Sequence, residues 1–389
     1  MTHLISFFIF IFSFFTEAHP IEQSTVSRKN LEKKLIKEIR NVQKRRKIVS
    51  LSFSFFHDKT YTFNYATGYA DLNRRIKATP DHIYTIASVT KSITAMTLLD
   101  LVNKNYLALE DSVHKIIEGF PPNVTILDLL NHTSGFLREK ENENYLAGSS
   151  YRDVIEHLPV KFNLKIHRYA NYNYAVIGAL IEKILEKKFS EVANDYYYTQ
   201  TGDSLYFSNH DNYKSNRLFV RNYVKKRRKR ILHETVDFGL WEPAAFAQTT
   251  AAGLATFLRQ HMTPHFIDYL EEHAVTIKTR KRNKNRIVKD CYALGFRLRY
   301  VNGSLKYIFH NGFLYGVLST MYYFPEKDAG FVALANMSNY PNETLSLSGF
   351  YKNVERILNT EIRNTDSVDK VNYDFPAGYK FQEEFKSKR

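Results

Sequence analysis

The 389-residue sequence predicts an α+β protein: an antiparallel sheet flanked by N- and C-terminal helices, with a helical lobe inserted between the two halves of the sheet. Three observations carry this. A helix-period stripe and two alternating segments stand at the start. Alternating segments and a helix pattern stand at the end. Between them lie short helix patterns without strand alternation. No stretch repeats another.

Residues 26–46 place Leu31, Leu35, Ile39 and Val42 on one stripe with Lys and Arg around it, an amphipathic helix. Residues 48–56 alternate and are rich in aromatic and β-branched types, His57-Asp-Lys-Thr60 is turn-like, and 61–69 return as a second strand. The first part of the sheet lobe is thus 19–75. The helical lobe, 76–286, reads as helices at 107–117, 125–131, 151–157, 172–187 and 191–198, with Gly135 ending the Leu129-Leu130 stretch. Within it, 199–235 is polar, then aromatic, then basic, and reads as an insertion. Strand patterns return at 287–300, 305–310, 317–324 and 330–337, and 344–358 makes a closing helix. The second part of the sheet lobe is therefore 287–360, and 361–389 is a polar tail.

Residues 1–18 read as a signal peptide, and with it the chain is expected to be secreted. Positions 4–15 are nearly all Leu, Ile and Phe, too short a run to span a bilayer, and Thr16-Glu-Ala18 offers small residues at the cleavage-determining positions. The Asn-x-Ser/Thr triplets at Asn123, Asn131, Asn302, Asn336 and Asn342 fit the same route. Cys291 is the sole cysteine, which excludes an internal disulfide. The net charge of +15 is gathered in runs at 44–47, 225–230 and 278–286, and none matches a zinc-finger, RNP or basic-zipper pattern. These runs read as solvated loop and helix faces; no nucleic-acid partner is expected, and attraction to an acidic surface is the consequence the charge allows. Oligomeric state is not legible.

Candidate chemistry centres on residues 84–102, whose second half repeats apolar positions at helical spacing through Ile93, Met96, Leu98, Leu101 and Val102. Ser88 falls near the first turn and Lys91, three residues on, shares its helix face. An alcohol there meets the positive end of the helix dipole, beside an amine able to take its proton. Ser112 with Lys115 and Ser367 with Lys370 satisfy the same S-x-x-K spacing, so the pattern alone is also that of a helix cap beside a surface lysine. Tyr169-Ala-Asn171 precedes a helix, although Tyr300 and Tyr340 begin the same Y-x-N pattern. His310-Asn-Gly312 ends a strand, and a glycine there suits close approach of backbone to a ligand.

Taken together and in this order, Ser-x-x-Lys, Tyr-x-Asn and His-x-Gly resemble the serine β-lactamase and penicillin-binding-protein superfamily, on the side of the class C enzymes and related esterases and peptidases. Gly68-Tyr-Ala-Asp71, Ile86-Ala-Ser-Val-Thr-Lys-Ser92, Leu129-Leu-Asn-His-Thr-Ser-Gly135 and Tyr172-Asn-Tyr-Ala-Val-Ile-Gly178 extend the resemblance, which covers residues 48–185 well and 290–358 moderately. It implies a β-lactamase/transpeptidase-like fold and a serine hydrolase acting on an amide or ester through a Ser88 acyl-enzyme. Lys91 and Tyr169 would share the proton transfers, and the residues do not choose between them as the base. Asn171 would orient Lys91 or bind a substrate amide. His310, with Asn311 and Gly312, would line the opposite wall and polarise the Tyr169 hydroxyl or hold an acidic substrate group. The backbone N–H groups of Ser88 and Phe313 would form the oxyanion hole. No metal or organic cofactor is implied, and the partner is a small-molecule or peptide substrate. Asn311 and Phe313-Leu-Tyr315 depart from the small residues usual there, which bears on substrate range rather than on the nucleophile.

Rival readings are weaker or of another class. No G-x-S-x-G elbow occurs. His233-Glu234 lacks the second histidine of a zinc motif, and Pro264 interrupts the pair His261 and His265. A catalytically quiet binding or scaffold protein on the same fold has no need of Ser88, Lys91, Tyr169 and Asn171 together.

Overall fold

The computed structural model describes residues 20–58, 60–136, 166–207, 216–227, 229–233, 241–283, 286–339 and 347–362. Helix α1 (Pro20–Arg46) leads into a hairpin of β1 (Ser50–His57) and β2 (Tyr61–Asp71), then short β3 (Ile76–Lys77) and β4 (Tyr84–Thr85). A 3-10 turn, Ala87–Val89, opens α2 (Thr90–Asn103), followed by α3 (Ile126–Leu130), α4 (Asn171–Leu185) and α5 (Phe189–Thr201). Next come β5 (Tyr206–Phe207), β6 (Asn222–Lys226), β7 (Lys229–His233), α6 (Glu242–Ala245), β8 (Ala247–Thr249), α7 (Ala251–His261) and α8 (Pro264–Glu272). The chain returns through β9 (Val275–Asn283), β10 (Arg286–Ala293), β11 (Phe296–Val301), β12 (Ser304–Leu314), β13 (Val317–Phe324), β14 (Ala329–Ala335), β15 (Met337–Asn339) and α9 (Ser348–Glu361).

Among the described residues nine strands form one sheet in the order β3-β2-β1-β14-β13-β12-β11-β10-β9, antiparallel throughout. The early and late strands meet inside it, where β1 pairs with β14. Strands β13 and β14 are buried along their whole length, because each sheet face is covered. Alternation assigns the residues: Phe331, Ala333, Tyr322 and Phe324 join one core with Leu31, Leu35, Ile39 and Val42 of α1 and Phe350 and Val354 of α9. Val332, Leu334, Met321 and Tyr323 face the other core, shared with α2, α4 and α7. The predicted layers, a sheet flanked by terminal helices with a helical lobe on its other face, are those observed.

Several sequence expectations are corrected. The late strands begin at Val275, not 287: residues 278–283 of the basic run lie on the edge strand β9 and Arg286 opens β10, and the long charged side chains hide a strand pattern. The single strand expected over 287–300 is two, broken where Leu294 (φ 46°) and Gly295 (φ 88°) form a hairpin. Residues 107–117 form turns and a 3-10 segment, Val113–Lys115, rather than a helix, since Asp111 and Ser112 side chains take backbone N–H groups for themselves. Ser112 is thus a cap, the bland reading of its S-x-x-K match. Within 199–235, the described part of the basic run 225–230 lies on the antiparallel pair β6 and β7, and β6 pairs with β15 in parallel register. Asn131 and Asn336 are buried, with side chains bonded to Leu294 N–H and to Ser50 N–H respectively, so neither can carry a glycan in the folded chain. The expected leader 1–18, the 151–157 helix, Asn342 and the tail beyond 362 lie outside the described residues.

Candidate active site

Helix α2 is buried on nearly every side, because it runs through the lobe rather than over it. Its entry is held by long-range contacts. Thr90 Oγ1 donates to Ala87 O at 2.7 Å and accepts from Ala247 N–H at 3.1 Å. Ser92 Oγ donates to Gly295 O at 2.7 Å. Ser319 Oγ donates to Ile86 O. These bonds keep Ala87 at φ 46°, a left-handed conformation costing about 1–2 kcal/mol for a non-glycine residue, directly before Ser88. Two glycines allow the approach: a Cβ on Gly312 would stand 2.5 Å from Ile86 O, and one on Gly295 2.7 Å from Ala95 Cβ.

Lys91 is fully buried and pairs with no carboxylate among the described residues. Its Nζ donates to Asn171 Oδ1 at 2.6 Å and to Ala244 O at 2.7 Å, and lies 3.3 Å from Ser88 Oγ. Both oxygens of the first two contacts can only accept, so two N–H bonds are committed. The remaining tetrahedral position faces the serine: an N–H in the ammonium, a lone pair in the amine. One proton can pass between Ser88 and Lys91 without either residue moving.

The same nitrogen lies 5.0 Å from the centre of the Tyr169 ring and 5.6 Å from that of Tyr174. Behind Tyr169 stands a wall of imidazoles. His132, held at φ 57° where the chain leaves α3, puts its ring centre 4.4 Å from that of Tyr169; His310 lies at 6.4 Å. Hydrogen bonds fix both tautomers. Ala170 N–H donates to His132 Nδ1 at 3.3 Å, leaving the proton on Nε2, 3.3 Å from Tyr292 Oη. His310 Nδ1–H donates to Asn311 O at 3.0 Å, which turns a bare Nε2 toward the same Tyr292 hydroxyl at 3.4 Å. Burial, with Arg297 and Lys91 nearby, holds His310 well below the usual histidine range; burial and Lys91 do the same for His132. Burial and Arg297 bring His167 down to about 4. All three are neutral at pH 7.

The structure brings Ser88, Lys91, Tyr169 and Asn171 together, with His310 one ring further back. Gly312 lies against Ile86 O and Ala87, the residues just before Ser88. Asn311 does not point there: its side chain accepts from Thr320 Oγ1 on the opposite face, one step along the strand from Gly312. The Phe313 ring packs into the α1–α9 core. Along β12, pairing with β11 stops at Phe309, while pairing with β13 continues to Leu314; residues 310–314 therefore have one edge without a strand partner among the described residues. Sequence reasoning missed Ala244, whose backbone oxygen carries no side-chain signature, and Tyr292 and Arg297, which sit inside ordinary strand patterns. His132 was in view only as part of a turn. Among the described residues no group of three or more His, Cys, Asp or Glu is placed to hold a metal ion.

The Beta-lactamase family model matches residues 35–347. Protein flp of Staphylococcus aureus (strain MW2) is 24% identical over 323 residues, covering 77% of this chain and 60% of that protein. The teichoic acid D-alanine hydrolase of S. aureus (strain MRSA252) is 26% identical over 270 residues, covering 66% of this chain and 63% of that protein. The chain thus spans less than two thirds of the length of these relatives. Among solved structures, D-amino acid amidase from Ochrobactrum anthropi SV3 complexed with D-phenylalanine superposes with a TM-score of 0.67 at 19% identity, covering 84% of this chain and 98% of that one. Fold, order of segments and family match agree: the chain belongs to the Beta-lactamase family.

Proposed function

We propose that this chain is a serine hydrolase that cleaves an amide or ester through an acyl-enzyme on Ser88. The observation that carries the reading is the Lys91 amine, with two donors spent on Asn171 and Ala244 and its third position on Ser88 Oγ. Ser88 Oγ attacks the acyl carbonyl and its proton passes to Lys91 Nζ or the Tyr169 phenolate. The carbonyl oxygen takes the negative charge against the backbone N–H groups of Ser88 and Phe313. Collapse of the tetrahedral intermediate breaks the bond to the leaving amine or alcohol, which receives the stored proton. Water then attacks the acyl-serine by the same route in reverse, releasing the acid and restoring the Ser88 hydroxyl.

The edge of residues 310–314 that has no strand partner among the described residues supplies N–H and C=O groups along which an extended acyl donor aligns. The names of two relatives mention D-amino acid amides and D-alanine, which makes D-aminoacyl amides and esters the first substrates to try.

The test is covalent labelling. A fluorophosphonate or fluorescent penicillin probe should label the wild-type protein and leave folded Ser88→Ala unlabelled. Equal labelling of both removes Ser88 from the mechanism. A folded wild type that takes neither probe and hydrolyses no ester or D-aminoacyl amide is a binding protein on this fold.

A further inference from the structure

Two basic runs far apart in the chain adjoin in the fold. Arg230 of β7 donates to Lys47 O, just past α1, through Nε at 3.3 Å and Nη2 at 3.1 Å, across 183 positions. One cation suffices to meet a carbonyl at a helix end. The β6–β7 tip brings Lys226, Arg227 and Lys229 as well, all exposed, to the end of α1 that carries the exposed run 44–47. No Asp or Glu occurs between Glu38 and Asp58 or between Asp211 and Glu234, so neither stretch contains a carboxylate of its own.

The charge continues along α1. Lys29, Lys33, Lys37, Arg40 and Lys44 are all exposed. At about 100° per residue they share an arc of about 80°, and they span about 22 Å of helix axis. That arc lies opposite the buried stripe of Leu31, Leu35, Ile39 and Val42. The glutamates of this stretch stand on the flanks and are already engaged. Glu32 accepts from Tyr61 Oη at 2.8 Å, and Glu38 takes Arg45 at 3.2 Å and Asn353 at 2.7 Å. No carboxylate among the described residues pairs with any of the five stripe cations. A solvated helix face ordinarily mixes both signs; this one carries a single sign from end to end.

We infer that the outer face of α1 and the adjoining β6–β7 tip form one track that binds a linear polyanion, a flexible chain of repeated sulfate or phosphate groups. A row of like charges matches a row of opposite ones, and release of the polymer's counterions drives the association. No aromatic residue occurs in 28–47 or 225–230, so the track lacks the stacking platforms that hold single-stranded nucleic acid. None of the large apolar side chains exposed among the described residues lies on α1, so the helix has no apolar anchor for a bilayer. The track is on the sheet face away from α2 and Ser88, and it is independent of the hydrolase reading.

The experiment measures binding of the full chain to fluorescent heparin and to long-chain polyphosphate by anisotropy. Wild-type affinity should fall about 1,000-fold between about 50 and 200 mM salt, as six or more ionic contacts require. A wild-type salt slope below about three overturns the inference. Lys33→Gln/Lys37→Gln/Lys44→Gln should lower that slope by about two to three and weaken binding about 10-fold or more at about 100 mM salt. Lys278→Gln/Lys281→Gln/Arg282→Gln removes the same charge from exposed positions of β9, at the sheet edge away from α1, and should bind as wild type does. Equal weakening of the two variants, both melting with wild type, means that net charge alone attracts the polymer, and overturns the track. Binding of heparin alone assigns sulfate chains, and of polyphosphate alone phosphate chains. Tighter binding to single-stranded DNA or to phosphatidylserine vesicles than to either polymer overturns the inference. Loss of binding in Ser88→Ala does so too, since it places the polymer in the Ser88 cleft. A wild type unlabelled at Ser88 that still binds with the predicted slope leaves the track standing and the hydrolase reading refuted.

Discussion

Lys91 Nζ sits 3.3 Å from Ser88 Oγ because two other acceptors, Asn171 Oδ1 and Ala244 O, hold it there. The geometry is complete in either protonation state, so a proton can move between the two side chains without rearrangement. Lys91→Met should lower kcat/KM for a small ester by about 1,000-fold or more. It also strands two buried acceptors, costing about 1–3 kcal/mol of stability. Steady-state kinetics with urea denaturation read both; a Lys91→Met protein that kept even a tenth of the activity would rule out Lys91 as the proton carrier.

Gly312→Ala tests how closely β12 must approach the turn that carries Ser88. The added methyl would lie 2.2 Å from Ser319 Oγ and 2.5 Å from Ile86 O, and the second of these is backbone. We expect the turn to be displaced, with activity down by about 100-fold, as for an ångström-scale misplacement. Full activity with unchanged melting temperature would show that the strand and the turn have room for a methyl group.

Tyr292 links the two wall histidines through one hydroxyl. Tyr292→Phe leaves His132 Nε2–H and His310 Nε2 without that partner in a buried setting, and should cost about 1–3 kcal/mol. Equilibrium unfolding of the Tyr292→Phe protein within about 0.5 kcal/mol of wild type would contradict the bridge.

Acid should destabilise the fold through its buried imidazoles. Burial brings His261 down to about 4, and it bonds Tyr196 Oη at 2.7 Å. An unfolded histidine binds a proton near 6.5 and the folded one does not, so the unfolded state gains protons first and stability falls as pH drops from about 6.5 toward 4. Each such group contributes a slope of about 1.4 kcal/mol per pH unit in that window. His261→Gln should remove one group's worth of slope from urea midpoints measured between pH 6.5 and 5; an unchanged slope would mean that His261 is already protonated in the fold.

Much of this was legible in the chain. The stripe through Leu35 and Ile39, the alternation through Phe53 and Phe55, and the spacing of Ser88 and Lys91 each follow from side-chain periodicity, and the fold uses each of them as that periodicity implies. What stayed hidden has physical causes. A backbone oxygen such as that of Ala244 leaves no trace in residue type. In Phe-Arg-Leu-Arg, Arg297 and Arg299 look alike, and only the fold gives one an aspartate and the other a phenol. Gly135 invites the helix-ending role because glycine favours positive φ, yet His132 adopts that conformation first, and this turns its ring toward Tyr169. Asn311 groups with its neighbours by adjacency, whereas strand alternation sends it to the other face.

The bonds that hold the Ser88 turn reach far down the chain: Ile86 O to Ser319, Thr90 to Ala247 and Ser92 to Gly295, separations of 233, 157 and 203 positions. A ribosome must therefore deliver the chain through Ser319 before all three of these bonds can form. Fragments ending short of β13 should be inert and prey to proteases, and reactivity should emerge late in refolding, as a single event rather than by degrees.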